Sequence, residues 1–266
     1  MKTRSIAYMA GLMDTDGTLG IYDKGDSGYQ ATVEFCNDDL QLIKWVVTTF
    51  GGTYRAKPDK RRTAIGYIWR TQGKQHSSKI LDQLIPFLVL KKKEAQIIKE
   101  FLSIEGENPE LRKSLMIQCR LEKGKRSIVE TDTLRSLFEQ KPNIVHAYVA
   151  GLIDGDGNID TYENQVVIGF TNMCVSLIDN LMSLFGGGKY QCKPTTWRWQ
   201  LAGTRNQELF LLKTLPYLRV KYKRGKTALN FVRVKLNKVK TMGRPFNKLM
   251  IQPELIGDNE SGSSGN

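Results

Sequence analysis

Apolar and polar residues alternate over two neighbouring stretches near the start of the chain, the pattern of strands that bury one face. In the first stretch Leu19 and Ile21 share one face, and in the second Ala31, Val33 and Phe35 do. The polar residues between them share the opposite face. The pattern therefore predicts two strands, each with a core face and an outward face.

Helical spacing and glycine signals predict the elements on either side of these strands. An apolar helix precedes the first strand and ends at the acidic pair Asp14 and Asp16. Another helix is predicted from about 39 to 50, because two consecutive glycines at 51–52 are typical of a helix C-terminus. Two strands and two helices are then predicted at about 53–57, 65–71, 77–87 and 92–102.

The chain repeats this order of elements. Residues 7–17 return as residues 147–157, an offset of 140, and eight of the eleven positions are identical. Three further pairs follow in the same order, 35–37 with 170–172, 50–52 with 185–187, and 86–91 with 216–221. Ordered matches through both halves identify a duplicated domain, so the second copy is expected to repeat the elements of the first.

Small residues in the repeated segment predict how the two copies meet. Each copy has an alanine followed by a glycine, Gly11 in the first and Gly151 in the second, which gives its helix a face of small residues. Small side chains let two helix backbones approach closely. We expect the two helices to pack against each other across a pseudo-two-fold axis. That packing would bring Asp16 and Asp156 together at the helix C-termini, where the helix dipole disfavours negative charge. A divalent cation would remove the repulsion, and a ligand set of oxygens favours Mg²⁺.

The alternative for the same acidic segment is purely structural. An Asp-x-Asp-Gly sequence before a strand is compatible with an Asx-turn, in which Gly17 and Gly157 would supply a positive φ. The recurrence of the segment on two small-residue helices favours the functional interpretation.

The charge balance indicates the class of partner. Forty Lys and Arg residues against 27 Asp and Glu give a net charge of +13, in a chain that is 40% hydrophobic and 25% charged. That composition is globular, and the excess charge favours nucleic acid first and an acidic membrane surface second. Apolar runs stay far below the roughly 20 residues of a membrane span, and the N-terminal apolar stretch reaches Asp14 too soon for a signal peptide. We expect a soluble, intracellular protein, either organellar or in a prokaryotic cytoplasm, and no membrane partner.

Cysteine and histidine usage argues against several kinds of site. The four cysteines lie far apart without a C-x-x-C pair, so a zinc site is not indicated and buried thiols are expected. His76 and His146 are the only histidines, and neither has the neighbours of a Ser-His-Asp hydrolase or a histidine-based nuclease.

The two repeated segments, AYMAGLMDTDG and AYVAGLIDGDG, resemble the LAGLIDADG motif of homing endonucleases, in the form that carries both motifs in one chain. The order of helices and strands, the Phe-Gly-Gly helix ends and the Pro-Phe-Leu-x-Leu-Lys segments match that family too. The resemblance covers nearly the whole chain except its tail. Thr15 stands where the family usually has a small residue.

This resemblance implies an α+β fold. Two pseudo-two-fold-related αββαββα repeats would carry antiparallel DNA-binding sheets and meet at a central two-helix interface. The expected division is a first repeat at 1–120, a connecting segment and linker at 121–143, a second repeat at 144–240 and a C-terminal tail at 241–266, with a flexible end.

The resemblance also implies Mg²⁺-dependent cleavage of both strands of a long DNA site, with Mn²⁺ or Ca²⁺ able to replace Mg²⁺ for binding. Asp14 and Asp154 would be structural. The implied metal ligands are the carboxylates of Asp16 and Asp156 and the carbonyls of Thr15 and Gly155. The implied basic residues near the scissile phosphates are Lys91 and Lys221, and the residues positioning the water are Asn37 and Asn172. For the lysines, a favourable interaction with a helix C-terminus is the alternative.

The resemblance implies that DNA contacts the outward faces of the sheets, and strand alternation indicates which residues lie on those faces. Tyr67, Trp69, Trp197 and Trp199 are expected in the core under the sheets. A β-bulge near Lys57 or Lys193 would change the face of the sheet on which that lysine lies. The basic run that contains Arg61 is either a set of phosphate contacts or a solvated loop. The DNA-contacting residues predicted are Thr18, Tyr22, Lys24, Gln30, Thr32, Lys57, Arg61, Arg70, Asn158, Asp160, Tyr162, Gln165, Lys193, Arg198 and Gln200.

Two alternatives remain for the function. One is an intron maturase, which uses the same fold to bind RNA, and the other is a non-catalytic DNA-binding regulator. The presence of both acids argues against the regulator. The outward faces of the two copies differ, for example Gly20 against Asp160 and Arg70 against Gln200. We therefore expect a monomer that recognises an asymmetric site of roughly two helical turns.

Overall fold

Each half of the chain forms a four-stranded antiparallel sheet covered on one face by helices, and the two halves meet at one helix pair. The computed structural model describes residues 2–58, 65–106, 108–129, 131–163 and 165–241. Arg61, predicted to contact DNA, lies outside these residues. No helix in the described part of the chain is long and apolar enough to cross a bilayer.

The first repeat follows the αββαββα order and adds one further helix. Its sheet has the strand order β1-β2-β4-β3, with all neighbours antiparallel. Its elements are α1 (Thr3–Thr15), β1 (Gly17–Asp23), β2 (Tyr29–Asn37), α2 (Leu40–Phe50), β3 (Thr53–Lys57), β4 (Gly66–Arg70), α3 (Gly73–Leu84) and α4 (Lys92–Ser103).

The second repeat has the same order and the equivalent sheet, β5-β6-β8-β7. Its elements are α7 (Pro142–Asp156), β5 (Gly157–Tyr162), β6 (Gln165–Asn172), α8 (Val175–Phe185), β7 (Gly188–Lys193), β8 (Thr196–Gln200), α9 (Thr204–Thr214) and α10 (Tyr222–Thr241).

Two helices connect the repeats, α5 (Pro109–Gly124) and α6 (Thr131–Phe138). Helix α5 was not predicted from the sequence, although it begins with two typical helix-start signals. Asn108 caps it, accepting the Leu111 N–H at Oδ1 over 3.1 Å, and Pro109 is its first residue. The boundary predicted at residue 120 falls within this helix, which packs on α4, β1 and β2. The domain limits themselves stay a prediction.

The sheets bury the aromatic residues that the alternation assigns to the core. Trp69 and Trp199 are fully buried, and Tyr67 and Trp197 pack partly buried beside them. Each buried indole N–H donates to the carbonyl that ends the second helix of its repeat, Trp69 to Gly51 and Trp199 to Gly186, both at 2.8 Å. The same bond at equivalent places fixes the glycine helix ends to the sheets.

The four cysteines, all within the described residues, form no disulfide. Cys119 and Cys174 are buried as expected, and Cys36 is partly buried. Cys192 is exposed, contrary to the expectation of buried thiols, because it lies at an irregularity of edge strand β7.

The helices α1 and α7 touch backbone to backbone. A Cβ added to Gly11 would lie 2.2 Å from the carbonyl oxygen of Tyr148, and one added to Gly151 would lie 2.2 Å from that of Tyr8. No real side chain tolerates such a distance, so both positions require glycine for steric reasons. The predicted close packing of the two motif helices is what the structure shows.

Replacing Gly11 by alanine should therefore force the helices apart. We expect Gly11→Ala to lower the free energy of unfolding by about 1–3 kcal/mol, the usual cost of overpacking. Gly124→Ala is the matched control, because a Cβ there meets nothing within 4 Å and alanine favours a helix. Denaturant unfolding of both variants measures the difference, and an equal effect of the two changes would contradict the close contact.

A second prediction concerns His146, which lies on α7 with its ring 6.0 Å from that of Phe185. Burial, with a smaller contribution from Lys213, lowers the pKa of His146 from 6.5 to about 4. Between these values the unfolded chain binds a proton that the folded chain does not, so stability should fall as pH drops from 6.5 towards 4. The loss would reach about 3 kcal/mol at most. Unfolding curves against pH should show a shallower fall for His146→Gln, and identical curves would show that His146 does not titrate in this way.

Candidate functional site

The first acid of each repeated segment holds the two repeats together. The Tyr8 hydroxyl donates to Asp154 Oδ2 and the Tyr148 hydroxyl donates to Asp14 Oδ2, both at 2.7 Å. Each bond crosses the helix pair, so each repeat binds the acid of the other. Burial raises the pKa of both tyrosines well above the usual value, which keeps the donor protons in place.

Backbone N–H groups complete the binding of these acids. Asp14 accepts from the N–H groups of Val89 and Lys91 at 2.8 and 2.9 Å. Asp154 accepts in the same way from Arg219, Val220 and Lys221, at 2.6, 3.2 and 2.8 Å. Both carboxylates are at least 97% buried. Asp14 and Asp154 are structural residues that fasten the segments before α4 and α10 to the helix pair.

The second acids leave the core and stand at the end of the helix pair. Asp16 follows the last residue of α1 and is partly buried, whereas Asp156 is the last residue of α7 and is exposed. Desolvation raises the pKa of both carboxyls, and the charge of Asp156 raises that of Asp16 further. The charges of Lys91 and Lys221 oppose both shifts. The two acids therefore stand at the same end of the helix pair, where the charges of Lys91 and Lys221 act on both.

Lys91 is bound by the end of α1. Its side chain is almost fully buried, and Nζ donates to the carbonyls of Met13, Thr15 and Gly17 at 2.7, 2.9 and 2.7 Å. Burial is the largest cause that lowers its pKa to about 8, followed by the charge of Arg126. Lys91 thus caps the C-terminus of α1 and not that of α3, the helix it follows in the chain, and its charge acts on both acids.

Lys221 has fewer partners. Its Nζ donates to the carbonyls of Asp154 at 2.7 Å and Gly155 at 3.4 Å. Each lysine therefore contacts the carbonyl that the resemblance assigns to a metal, Thr15 in one repeat and Gly155 in the other. A carbonyl oxygen has two lone pairs, so a lysine contact leaves one for a metal.

The donor set fits a hard divalent cation. The described residues contain no cluster of three or more His, Cys, Asp or Glu side chains suited to a metal. What the helix ends offer is two carboxylates and the adjoining carbonyls, oxygen ligands of the kind that Mg²⁺ and Ca²⁺ prefer. Asp16 and Asp156, with the carbonyls of Thr15 and Gly155, are the groups that would hold such an ion.

The two asparagines differ in their contacts. Asn37 donates from Nδ2 to Asp16 Oδ2 at 3.0 Å and accepts the N–H of Asp39 at 2.9 Å. Asn172 accepts the N–H of Cys174 at 2.9 Å, and no hydrogen bond to Asp156 is found among the described residues. Only the first repeat therefore orients its second acid through an asparagine.

The predicted DNA-contacting residues of the first repeat share the outward face of its sheet. Thr18 on β1 lies opposite Glu34 on β2, and Glu34 lies opposite Arg70 on β4, so the three residues share one face. Leu19, the neighbour of Thr18, is buried on the other face. Lys57 lies on this face without a bulge, and Lys24 follows β1 in the hairpin. The same register places Tyr22, Gln30 and Thr32 on the outward face.

A register shift decides the face of Lys193. Between Gln191 and Lys193 strand β7 is irregular, so Lys193 lies opposite Thr196, two residues from the outward Arg198. A regular strand would turn Lys193 towards the opposite face. The other predicted residues of this face are Asn158, Asp160, Tyr162, Gln165 and Gln200.

Several outward residues already have protein partners. Arg70 pairs with Glu34 at 2.8 Å, and Arg198 Nη2 donates to Asn158 Oδ1 at 2.7 Å. The Nε of Arg198 is buried without a hydrogen-bond partner among the described residues. Asp160 accepts from Arg224 at 3.2 Å.

Three further residues at the outward faces of the two sheets were not predicted from the sequence. Arg55 lies opposite Ile68, on the face of Lys57, and the period-two alternation from Lys57 was sufficient to find it. Tyr190 lies opposite Arg198 and is 47% exposed. Arg224 lies on α10, outside the sheet, so strand alternation could not predict its position beside Asp160.

Comparison with protein-family models gives no match, and no curated protein matches the sequence either. Solved structures do match. The I-SmaMI LAGLIDADG homing endonuclease bound to cleaved DNA is 16% identical, with a TM-score of 0.61 over 90% of this chain and 92% of that chain. The LAGLIDADG homing endonuclease I-GzeII in complex with its DNA target is 15% identical, with a TM-score of 0.62 over 90% and 92%. I-SmaMI bound to uncleaved DNA in the presence of calcium ions is 17% identical, with a TM-score of 0.58 over 88% and 92%.

The chain has the LAGLIDADG homing-endonuclease fold. The match extends over both repeats, so the form with two motifs in one chain, predicted from the repeated segments, is confirmed together with the α+β class. The roles of the individual LAGLIDADG residues stay predictions.

Thr15, the departure from the usual LAGLIDADG residue, fits because its partner is glycine. Its Oγ1 donates to the carbonyls of Gly11 and Leu12 at 3.2 and 3.0 Å. A Cβ on Gly155 would lie 2.0 Å from this hydroxyl oxygen. Only one of the two LAGLIDADG motifs can therefore carry a side chain at this position.

The final glycines of the LAGLIDADG motifs contradict the alternative of a turn with positive φ. Gly157 has a φ of −83°, and Gly17 is not among the positive-φ residues. A Cβ would instead lie 2.3 Å from the Met13 carbonyl oxygen at Gly17, and 2.6 Å from the Ile153 Cα at Gly157. Glycine is needed at both positions because the first residue of the strand packs directly on the last turn of the preceding helix, which leaves no space for a Cβ.

The two acids of one motif should respond oppositely to the same substitution. Asp154→Asn should destabilise the fold by about 2–3 kcal/mol, because its amide cannot accept every donor that surrounds Asp154. Asp156→Asn should leave the metal-free fold as stable as wild type or more stable, since it removes a charge that repels Asp16. Thermal unfolding in a chelator distinguishes the two, and a destabilised Asp156→Asn would assign Asp156 a structural role.

Mg²⁺ should raise the melting temperature of the wild type by binding the folded state, and should raise that of Asp156→Asn less. Melting curves with Mg²⁺ and with a chelator provide the measurement. An equal response of both proteins would place the ion elsewhere.

Proposed function

We propose that the protein is a site-specific endonuclease that binds double-stranded DNA and hydrolyses both strands with a divalent metal ion, Mg²⁺ by preference. The observation that carries the proposal is the position of Asp16 and Asp156. They end a helix pair between two sheets whose outward faces are rich in polar and basic side chains. Because each repeat contributes one acid, the site would contain one set of catalytic groups for each of the two DNA strands.

The solved structures of this fold support the choice of DNA as the ligand. I-SmaMI and I-GzeII are both bound to DNA in their structures, and one I-SmaMI structure contains calcium ions. The net charge of +13 points to the same ligand. Duplex DNA lying across both sheets would pass over the acids at the pseudo-two-fold axis.

The chemistry follows from the groups at the helix ends. A divalent ion held by Asp16 and Asp156 would supply a polarised water and neutralise the leaving 3′ oxygen. Lys91 and Lys221 place positive charge where negative charge builds up on the phosphate. Asn37 holds the Asp16 carboxylate in one orientation through its 3.0 Å bond.

The differences between the repeats support a monomer on an asymmetric site. Arg70 in the first repeat corresponds to Gln200 in the second, and their pairing partners Glu34 and Gly169 differ as well. Arg prefers guanine and Gln prefers adenine in the major groove. Each repeat would therefore read a different half-site of about one helical turn.

Cleavage of a randomised duplex library with Mg²⁺, followed by sequencing of the ends, tests this function. We expect one preferred asymmetric site cut on both strands by the wild type. Asp156→Asn should abolish cleavage of both strands while specific binding in a gel shift stays nearly intact. Lys125→Ala, which changes an exposed lysine paired with Glu122, is the control and should cut like wild type. Double-strand cleavage by Asp156→Asn at the wild-type rate would end the catalytic assignment.

Affinity for the recovered site should fall steeply with salt, because many contacts are to phosphates. Titrations between low and physiological salt measure the slope. Intron RNA of the same length serves as the competitor. A flat response would contradict nucleic-acid binding, and a preference for RNA would favour the maturase alternative.

A further inference from the structure

One basic side chain on the outward face of the first sheet comes from outside that sheet. Lys123 lies near the end of α5, the helix between the repeats that packs along edge strand β1. Its Nζ lies 5.3 Å from the centre of the Tyr22 ring. Tyr22 is one of the outward residues of β1.

The ammonium of Lys123 takes the place of a missing side chain. Gly20 lies between Thr18 and Tyr22 on the outward face, since its neighbours Leu19 and Ile21 are buried. A Cβ built on Gly20 would lie 2.8 Å from Lys123 Nζ. The first sheet therefore presents a cation at position 20, although the strand itself has no side chain there.

The second repeat fills the equivalent position differently. Asp160 corresponds to Gly20, and its carboxylate accepts from Arg224 at 3.2 Å and from Asn158 Nδ2 at 3.1 Å. The arginine there is engaged by a carboxylate. Lys123, in contrast, forms no ion pair with another residue in the described part of the chain, so its charge is available to a ligand.

We propose that Lys123 is a specificity-determining residue that contacts a guanine in the first half-site, from the position that Gly20 leaves open. The proposal rests on the proposed function, because it assumes duplex DNA across the outward faces. Lysine donates to guanine O6 and N7 in the major groove. The Tyr22 ring restricts the ammonium by a cation–π contact, so the donor has a fixed place between Thr18 and Tyr22.

Selection of binders from a randomised duplex library in Ca²⁺, without cleavage, tests the proposal. The proteins compared are the wild type, Lys123→Ala, Lys123→Gln and the control Lys125→Ala, which lies on the same segment and removes the same charge. We expect Lys123→Ala to lose a guanine preference of roughly 10-fold at one base pair of one half-site, with all other preferences kept. Lys123→Gln should shift that position towards adenine, and Lys125→Ala should match wild type.

Three results would overturn the proposal. Unchanged preferences in both Lys123 variants would show that the residue does not read the site. Uniformly weaker binding to all sequences, with a smaller salt slope, would assign a phosphate contact instead. An equal loss of the guanine preference in Lys125→Ala would show that the effect comes from the end of α5 in general and not from Lys123. If the wild type selects no sequence at all, the proposed function fails first, so the two failures are distinguishable.

Melting curves provide a control for folding. Lys123 is only partly buried, and the glutamine variant keeps most of the side chain over Tyr22. We expect both variants to melt within a few degrees of wild type. If Lys123→Ala alone unfolds, Lys123→Gln still decides the proposal through the predicted shift from guanine to adenine.

Discussion

The backbone contact between α1 and α7 is the constraint on which the rest of the structure depends. Glycine at 11 and 151 lets the helices approach until carbonyl oxygens occupy the space of a Cβ. At that distance Tyr8 and Tyr148 reach the acids of the opposite repeat, and these acids bind the backbone just before α4 and α10. Dispersion and hydrogen bonding act together here, because the carboxylates are buried and accept hydrogen bonds from protein donors.

The same contact produces the charged centre. Two helix C-termini and two carboxylates collect negative charge at one end of the pair, which is unfavourable unless cations compensate for it. Lys91 and Lys221 do so by binding the terminal carbonyls, and desolvation still leaves the pKa of Asp16 and Asp156 raised. Such an imbalance would favour the binding of a divalent ion, so the structural requirement and the proposed chemistry would have one origin.

The two halves kept the scaffold and diverged where a ligand would lie. The buried indole bonds of Trp69 and Trp199 are the same in both repeats, whereas the centre is not symmetric. Thr15 requires Gly155 opposite it, and Asn37 binds its acid while Asn172 does not. A single chain permits such divergence, because a substitution in one half leaves the other half unchanged.

The sequence by itself determined the elements of the two repeats, although not the connecting helix α5, and it determined the duplication, the helix pair and the two acids. These features depend on local periodicity and on a repeated motif. The sequence also identified most outward strand residues, since side chains alternate with period two. Tertiary structure alone decided that Lys91 lies against the α1 carbonyls and that a register shift turns Lys193 outward. It also decided that Lys123 reaches Gly20 from another element. Such contacts join residues distant in the chain, and their geometry depends on how whole elements pack, which no local pattern encodes.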